Sequence, residues 1–238
     1  MININEIEPR LKALLNSICT IHKRNYEKFV DILLRAYDRD LQGLQPLDRG
    51  FVEDLADLMA TLRAVRTDTL HELKNFIDSY RNDYKYVYVV DCLGLPDLYA
   101  LMCSIDNVKF NFRIFINQRT NTQAFKNAFA SETMADVAKM LSGLVIRRLD
   151  TSLHEISEKM SSGGLNRNEV LNIIVGRMNY VSSLLASLMT HMRAKTMIVT
   201  DHGYDVIRID SKYIINHVFT PNIKPILAKL ALVVLLKK

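Results

Sequence analysis

The sequence predicts an α/β protein: a mostly parallel sheet with helices on both faces, preceded by an α-helical N-terminal region. Two observations predict it. Residues 1 to about 80 carry apolar side chains at helical spacing almost throughout. From residue 84 onward, short aromatic and β-branched runs alternate with helical stretches, and strand–helix–strand alternation means parallel strands joined by crossovers. Size and composition agree. The chain has 238 residues, 49% hydrophobic and 24% charged, enough for one full domain or one domain with an appendage, and too apolar for disorder.

In the first region the helical sets are Leu11, Leu14, Leu15 and Ile18, then Phe29, Ile32, Leu33 and Tyr37. Leu55, Leu58 and Leu62 follow, then Leu70, Leu73, Phe76 and Tyr80, with a break at Gly43, Pro46 and Gly50. The pattern then changes. "YKYVYVV" (84–90), "FNFRIFI" (110–116), "GLVIRRL" (143–149) and "TMIVT" (196–200) read as strands. Helices are expected at Pro96–Met102, Thr122–Met140 and Asn166 to about Arg193, the last opening on an Asn cap after "SSGG". "YDVIRID" and the apolar tail "ILAKLALVVLLKK" are candidate edge strands. The tail is interrupted by Lys229 and falls short of the roughly 20 residues a bilayer requires, so it reads as a last core strand or a docking helix and no membrane span is expected. The division is therefore 1–82, helical, and 83–238, α/β.

The net charge of +5 suits an anionic substrate, a phosphate or a nucleic acid, but is far below the charge density of a dedicated DNA-binding arm. Cys19, Cys92 and Cys103 show no CxxC spacing, which argues against a disulfide framework and a thiolate zinc site, and for a reducing, cytoplasmic compartment. The opening MININEIEPR is polar and acidic where a signal peptide needs a basic and then an apolar run. His22 and His71 sit among charges and read as solvated surface residues.

In open α/β sheets ligands bind beyond the carboxyl ends of the strands. Asp91 follows the first predicted strand. "NQRTNT", with Thr120 and Thr122, follows the second, Asp150 and His154 the third, and Asp201 and His202 the fourth. His217 lies beyond them in "INHVF". Each has a bland reading alone, as a turn residue, a helix cap or a core histidine. Together they bring carboxylate, imidazole and hydroxyl to one edge, which is a donor set for zinc. Two such ions would stabilise the attacking and leaving oxygens of a phosphoryl displacement. A threonine beside one of them would be the nucleophile.

The order of these residues resembles the alkaline phosphatase superfamily, and within it the PglZ domain family. "VVDCLGLPDLYAL", "RRLDTSLHEI" and "MIVTDHGYD" carry the resemblance, over about residues 84 to 220. It implies an alkaline-phosphatase-like core for 83–238. It also implies one zinc held by Asp91, Thr122, Asp201 and His202, with Thr122 as nucleophile, and a second held by Asp150, His154 and His217. Manganese could substitute. Thr120 remains a rival to Thr122, which is preferred because "TQAFKNAF" reads directly as a helix. The implied activity is a metal-dependent phosphodiesterase on nucleotide or oligonucleotide substrates, in phage defence or signalling. A phosphomonoesterase or phosphomutase on the same site is the first alternative, and a non-enzymatic interaction module of a defence complex the second. The helical region is expected to take no part in the chemistry and to serve as a cap or a protein-partner surface.

Overall fold

The computed structural model describes residues 4–105, 108–147, 149, 151, 153–154, 164–190, 194–216 and 224–237. Helices α1 (Ile4–His22), α2 (Tyr26–Asp38), α3 (Pro46–Ala64) and α4 (Leu70–Tyr80) come first, closed by a 3-10 turn at Arg81–Asp83. There follow β1 (Tyr86–Val90), α5 (Leu95–Ser104), β2 (Lys109–Ile116), α6 (Thr122–Ala128), α7 (Met134–Met140) and β3 (Leu144–Ile146). The chain continues through α8 (Arg167–Thr190), β4 (Thr196–Thr200), β5 (Asp205–Ile209), β6 (Lys212–Asn216) and β7 (Leu230–Lys237).

The main sheet has the order β2-β7-β4-β1-β3. β1 is parallel to β3 and β4, while β7 is antiparallel to both of its neighbours, β4 and β2. Strands β1 to β4 therefore share one direction and end at one edge, and only β7 is reversed. The fold is mixed α/β, as expected, and the sheet is mixed, its one reversed strand set between parallel ones.

The C-terminal tail is a core strand, as one reading had it, but not an edge. It lies between β2 and β4, where its apolar run from Leu230 to Leu236 is buried on both faces, a position that continuous hydrophobicity favours over an edge. "YDVIRID" does not join this sheet either, because β5 pairs with β6 in a separate hairpin. The expected helix 122–140 is two helices. Thr133 starts the second one with a capping box, its hydroxyl accepting from the Asp136 N–H while the Asp136 carboxylate takes the Thr133 N–H. Asn166 does cap α8, accepting from the Glu169 N–H at 3.0 Å.

Strand alternation divides the interior in two. Tyr88, Val90, Ile198, Leu232 and Val234 face a core built with α1, α2, α3, α5 and α8. Val87, Val89, Met197, Val199 and Val233 face the other, with α4, α6 and α7. Helices thus cover both faces.

The helical region contributes to both cores. Phe29 of α2 stacks on Tyr99 of α5 at 3.9 Å between centroids and 10° between planes. Arg24 donates to the Cys103 and Ser104 carbonyls at the end of α5, at 3.2 and 3.1 Å. Glu8 accepts from the Ile114 N–H at 2.9 Å, and the Thr69 hydroxyl accepts from the Ile116 N–H at 2.7 Å. Those two amides lie on the outer side of β2, and their capture covers an edge that could otherwise pair with another chain. Cys19 of α1 is joined to Cys103 of α5 by a disulfide, with Cα atoms 5.9 Å apart. This corrects the expectation of unpaired cysteines and removes its argument for a reducing compartment. The spacing of 84 residues carried no signal, since the pairing is made by the packing of α1 on α5. His22 is also corrected. Rather than solvated, it is half-buried and bonded to Asp48 at 2.8 Å, and Asp48 also pairs with Lys28. No helix among the described residues is long and apolar enough to cross a membrane.

Phe29→Ala tests the shared core. It should cost about 3–5 kcal/mol, the usual range for truncating a buried phenylalanine. Urea unfolding followed by circular dichroism should still give one transition reporting helices and sheet together. A separate early transition of the helices would contradict the shared core.

Candidate metal centre

The carboxyl edge of the sheet is assembled by the residues that leave each strand. Asp91 follows β1 and Asp201 follows β4. Asn117 leaves β2 and ties the exits together: its Nδ2 donates to the Asp201 carbonyl at 3.0 Å and to the Asn121 carbonyl at 2.9 Å. Its own N–H donates to the Lys229 carbonyl at 2.8 Å. Asn121 caps α6, accepting from the Ala124 N–H at 2.8 Å. Thr122 is therefore the first helical residue rather than the cap, and its hydroxyl is available for another partner. Thr122 Oγ1 lies 2.7 Å from Asp201 Oδ2 and 3.3 Å from Asp91 Oδ1. One hydroxyl proton cannot serve both carboxylates at once.

His202 completes the group. Its Nδ1 is 2.9 Å from the Gly203 carbonyl and its Nε2 is 3.4 Å from Asp201 Oδ2. With Nδ1–H donated to the carbonyl, a tautomer inferred from that contact, Nε2 turns its lone pair toward a carboxylate oxygen. Two lone pairs face each other across that gap, which calls for a proton or a cation between them. Burial opposes protonation of this imidazole, but the Asp201 carboxylate and the Cys92 sulfur outweigh it and raise the pKa well above the ordinary histidine range. A metal ion would have to displace that proton, since only the neutral imidazole can act as a ligand.

Asp201 is fully buried and His202 is 3% exposed, with Asp91 half-buried beside them. One ligand atom from each of the three lies within 4.8 Å of the others. In a tetrahedral zinc site with bonds of about 2.0–2.1 Å, neighbouring ligand atoms stand about 3.3 Å apart. The 3.4 Å between Nε2 and Oδ2 and the 3.3 Å between Oγ1 and Asp91 Oδ1 meet that spacing, whereas the 2.7 Å between Oγ1 and Asp201 Oδ2 is a hydrogen bond that would open on binding. A histidine whose second nitrogen donates to a main-chain carbonyl is also the usual arrangement behind a metal-binding imidazole.

Of the seven candidate residues, Asp91, Thr122, Asp201 and His202 come together. His154 is exposed and is not part of this group. Asp150 and His217 lie outside the described residues. Thr120 is 1% exposed at φ 46°, and its hydroxyl has no hydrogen-bond partner among the described residues. Thr122, not Thr120, faces the carboxylates.

Several supporting residues had no reading in the sequence. Cys92 sits in the left-handed region at φ 56°, from which its N–H donates to Asp201 Oδ1 at 3.1 Å and its thiol to the Gly203 carbonyl at 3.4 Å. Burial pushes that thiol's pKa up, against the pull of His202. Gly203 has no room for a side chain: a Cβ would stand 2.9 Å from the Leu227 carbonyl oxygen and 3.3 Å from the Gly94 Cα. Behind the loop, Asp97 and Arg177 form a buried ion pair at 3.0 Å. Asn117, directly after a strand, was the one legible omission. The chain matches no known family model and no curated protein sequence.

Lys229, whose carbonyl anchors Asn117, is 1% exposed, and its Nζ donates to the Val65 carbonyl at 3.0 Å. Burial lowers its pKa to about 8, and Arg66 adds to the effect while Asp205 opposes it. A lysine depressed from 10.5 to about 8 in the fold is charged in both states below pH 8, where the fold carries the whole cost of burying the charge. Between the two values the unfolded chain binds the extra proton, so stability rises with pH across that window. Urea midpoints of the wild type relative to Lys229→Met should therefore climb between about pH 8 and 9.5, below the range where tyrosines titrate. A difference flat over that window would contradict a charged, buried Lys229.

Proposed function

We propose that the protein is a metal-dependent phosphohydrolase with Thr122 as nucleophile, a two-zinc phosphodiesterase acting on nucleotide or oligonucleotide substrates. The observation that carries the reading is the Thr122 hydroxyl held at hydrogen-bond distance from two carboxylates beside a buried histidine. A lone cap threonine has no use for that surrounding, and Asn121 already performs the capping.

Asp91, Asp201, His202 and Thr122 would hold one ion, and Asp150, His154 and His217 are assigned to a second on the resemblance to the PglZ family. Bound metal would lend Lewis acidity, neutralising charge on the phosphoryl oxygens and on the reacting oxygens. The chain's own contribution is placement and proton transfer. Thr122 Oγ1 attacks phosphorus as the ester's alkoxide leaves and takes a proton from solvent, so that the phosphoryl group is carried on the threonine. Its proton departs to Asp201 Oδ2, 2.7 Å away. His202 is kept in one orientation by the Gly203 carbonyl, and Asp201 by the Cys92 N–H. Water then displaces Thr122 from phosphorus, losing a proton to solvent, while the proton held on Asp201 returns to the threonine oxygen and restores the hydroxyl. The net charge of +5 favours an anionic substrate.

Hydrolysis of a chromogenic phosphodiester, run beside its monoester counterpart, tests the proposal. Chelation should abolish turnover and zinc or manganese should restore it. Thr122→Ala should lower turnover by at least about a hundredfold, roughly 2.7 kcal/mol of barrier, with little change in melting temperature because Thr122 is not the cap. Thr120→Ala should keep most of the activity. Turnover that survives with the metal demonstrably removed would refute the reading. Zinc dependence without any effect of Thr122→Ala would replace the threonine with a water nucleophile.

A further inference from the structure

We propose that Arg177 is a positioning residue of this metal centre: its guanidinium holds the turn after Asp91 and, through Cys92, sets the aim of the Asp201 carboxylate. The inference rests on the metal reading of the site and adds to it a residue from α8 that has no place in the donor set.

Arg177 lies in α8 with 6% exposure. Its Nε is 3.1 and 3.0 Å from the two Asp97 oxygens. Nη2 donates to the Cys92 carbonyl at 2.6 Å, and Nη1 to the Leu149 carbonyl at 2.6 Å. The guanidinium carbon stands 5.1 Å from the centre of the Tyr204 ring. One rigid fork therefore binds the first turn of α5, the exit of β1 and the residue that precedes Asp150 in the chain. Only a planar, multidentate cation can do this from a single position, since a lysine is a point charge.

The clamp matters because of the conformation it holds. Cys92 has φ 56°, a region that L residues enter at a cost. In that conformation its N–H meets Asp201 Oδ1 at 3.1 Å, which turns Oδ2 toward Thr122 and His202. The Cys92 carbonyl, on the other side of the same residue, is buried against Arg177. Without the guanidinium that carbonyl would lose a charge-assisted bond in the interior. The turn would relax out of the left-handed region, and the N–H would leave Oδ1. The carboxylate would then rotate out of register with the imidazole.

A purely structural ion pair is the competing account. Buried pairs give little net stability over apolar replacements, and a Met or Leu pair would fill the space equally well. What no apolar pair could supply is a donor for two buried carbonyls flanking the site.

The test is zinc binding by the full chain, measured by competition with a chromogenic chelator well below the melting temperature. Arg177→Lys keeps a cation beside Asp97 but cannot reach the carbonyls together. It should bind zinc roughly tenfold to a hundredfold more weakly than wild type, the usual range for losing support behind a ligand. In zinc-free protein the Cys92 amide should exchange with solvent faster. Adding Cys92→Gly to Arg177→Lys should recover part of the zinc affinity, because glycine holds a positive φ without a clamp. A structural role would predict no recovery, since losing the thiol only adds a cavity. Should Arg177→Lys prove too unstable, Arg177→Gln combined with Asp97→Asn removes the clamp without leaving a buried carboxylate unpaired, and carries the same zinc and amide readouts. The proposal is overturned if the folded variant binds zinc within about threefold of wild type, well short of that range, and keeps its Cys92 amide protection. Wild type that binds no zinc would instead remove the metal reading and this role with it, leaving the amide exchange to report on the clamp alone.

Discussion

Asp201 is the residue on which the carboxyl edge depends. Its Oδ1 takes the Cys92 N–H, its Oδ2 meets Thr122 and His202, and its main-chain carbonyl takes Asn117 Nδ2. A fully buried carboxylate has to be compensated on every side, because an ionised acid without partners is among the costliest groups to bury. The compensation here comes from segments far apart in the chain, the exits of β1 and β2 and the start of α6. Binding one acid thus fixes the relative positions of three strand ends.

The neighbouring acids in the interior are compensated differently. Asp97 faces the Arg177 guanidinium and the Gly94 N–H, and although burial raises its pKa, both partners favour the ionised form. Asp205 accepts from the Tyr37 hydroxyl at 2.6 Å and from the Ile226 and Leu227 amides at 2.9 and 2.7 Å. These two are closed networks of strong donors, and such networks fix a loop in one conformation. Asp201 differs in having a hydroxyl and an imidazole as its outward neighbours, the imidazole able to exchange a proton for a cation. Its environment keeps a place for a positive charge, whereas those of Asp97 and Asp205 are already filled. Within "DHGYD" alone, Asp201 and Asp205 show that contrast four residues apart.

The legible part of the fold follows from periodicity. Strand β4 was read from its sequence with the observed bounds, and β1 and β2 within two residues, because β-branched and aromatic runs flanked by polar turns leave few alternatives. The tail was legible as apolar and not as a central reversed strand, since nothing local says which neighbour a strand will pair with. The same limit governs the site. Asp91, Thr122, Asp201 and His202 could be read because each follows a strand directly or opens the next helix. Arg177 could not: it sits mid-helix among ordinary helical residues, and its partners lie 28 to 85 residues away toward the N-terminus, none at a spacing that marks them. The Cys19–Cys103 pair was hidden for the same reason, its geometry created by helix packing rather than by spacing.

The reversed strand has a consequence for the site itself. A parallel β7 would bring its carboxyl end to the same edge as Asp91 and Asp201, and its amino end to the other. Running antiparallel, it starts at this edge, so the residues leading into it pack against the strand exits. The Ala228 carbonyl accepts from Gly203 and the Lys229 carbonyl from Asn117, at 2.9 and 2.8 Å. Gly203 can approach that closely because it has no Cβ to strike the Leu227 oxygen. Lys229 then reaches across to the Val65 carbonyl at the end of α3, which also accepts from Gln118 Nε2 at 2.9 Å. The two loops that present Asp201 and Thr122 are thereby fastened from behind by the last strand, and that strand is fastened to the helical region. The N-terminal helices thus reach the candidate site through its supports, the anchors of Asn117 and Gln118.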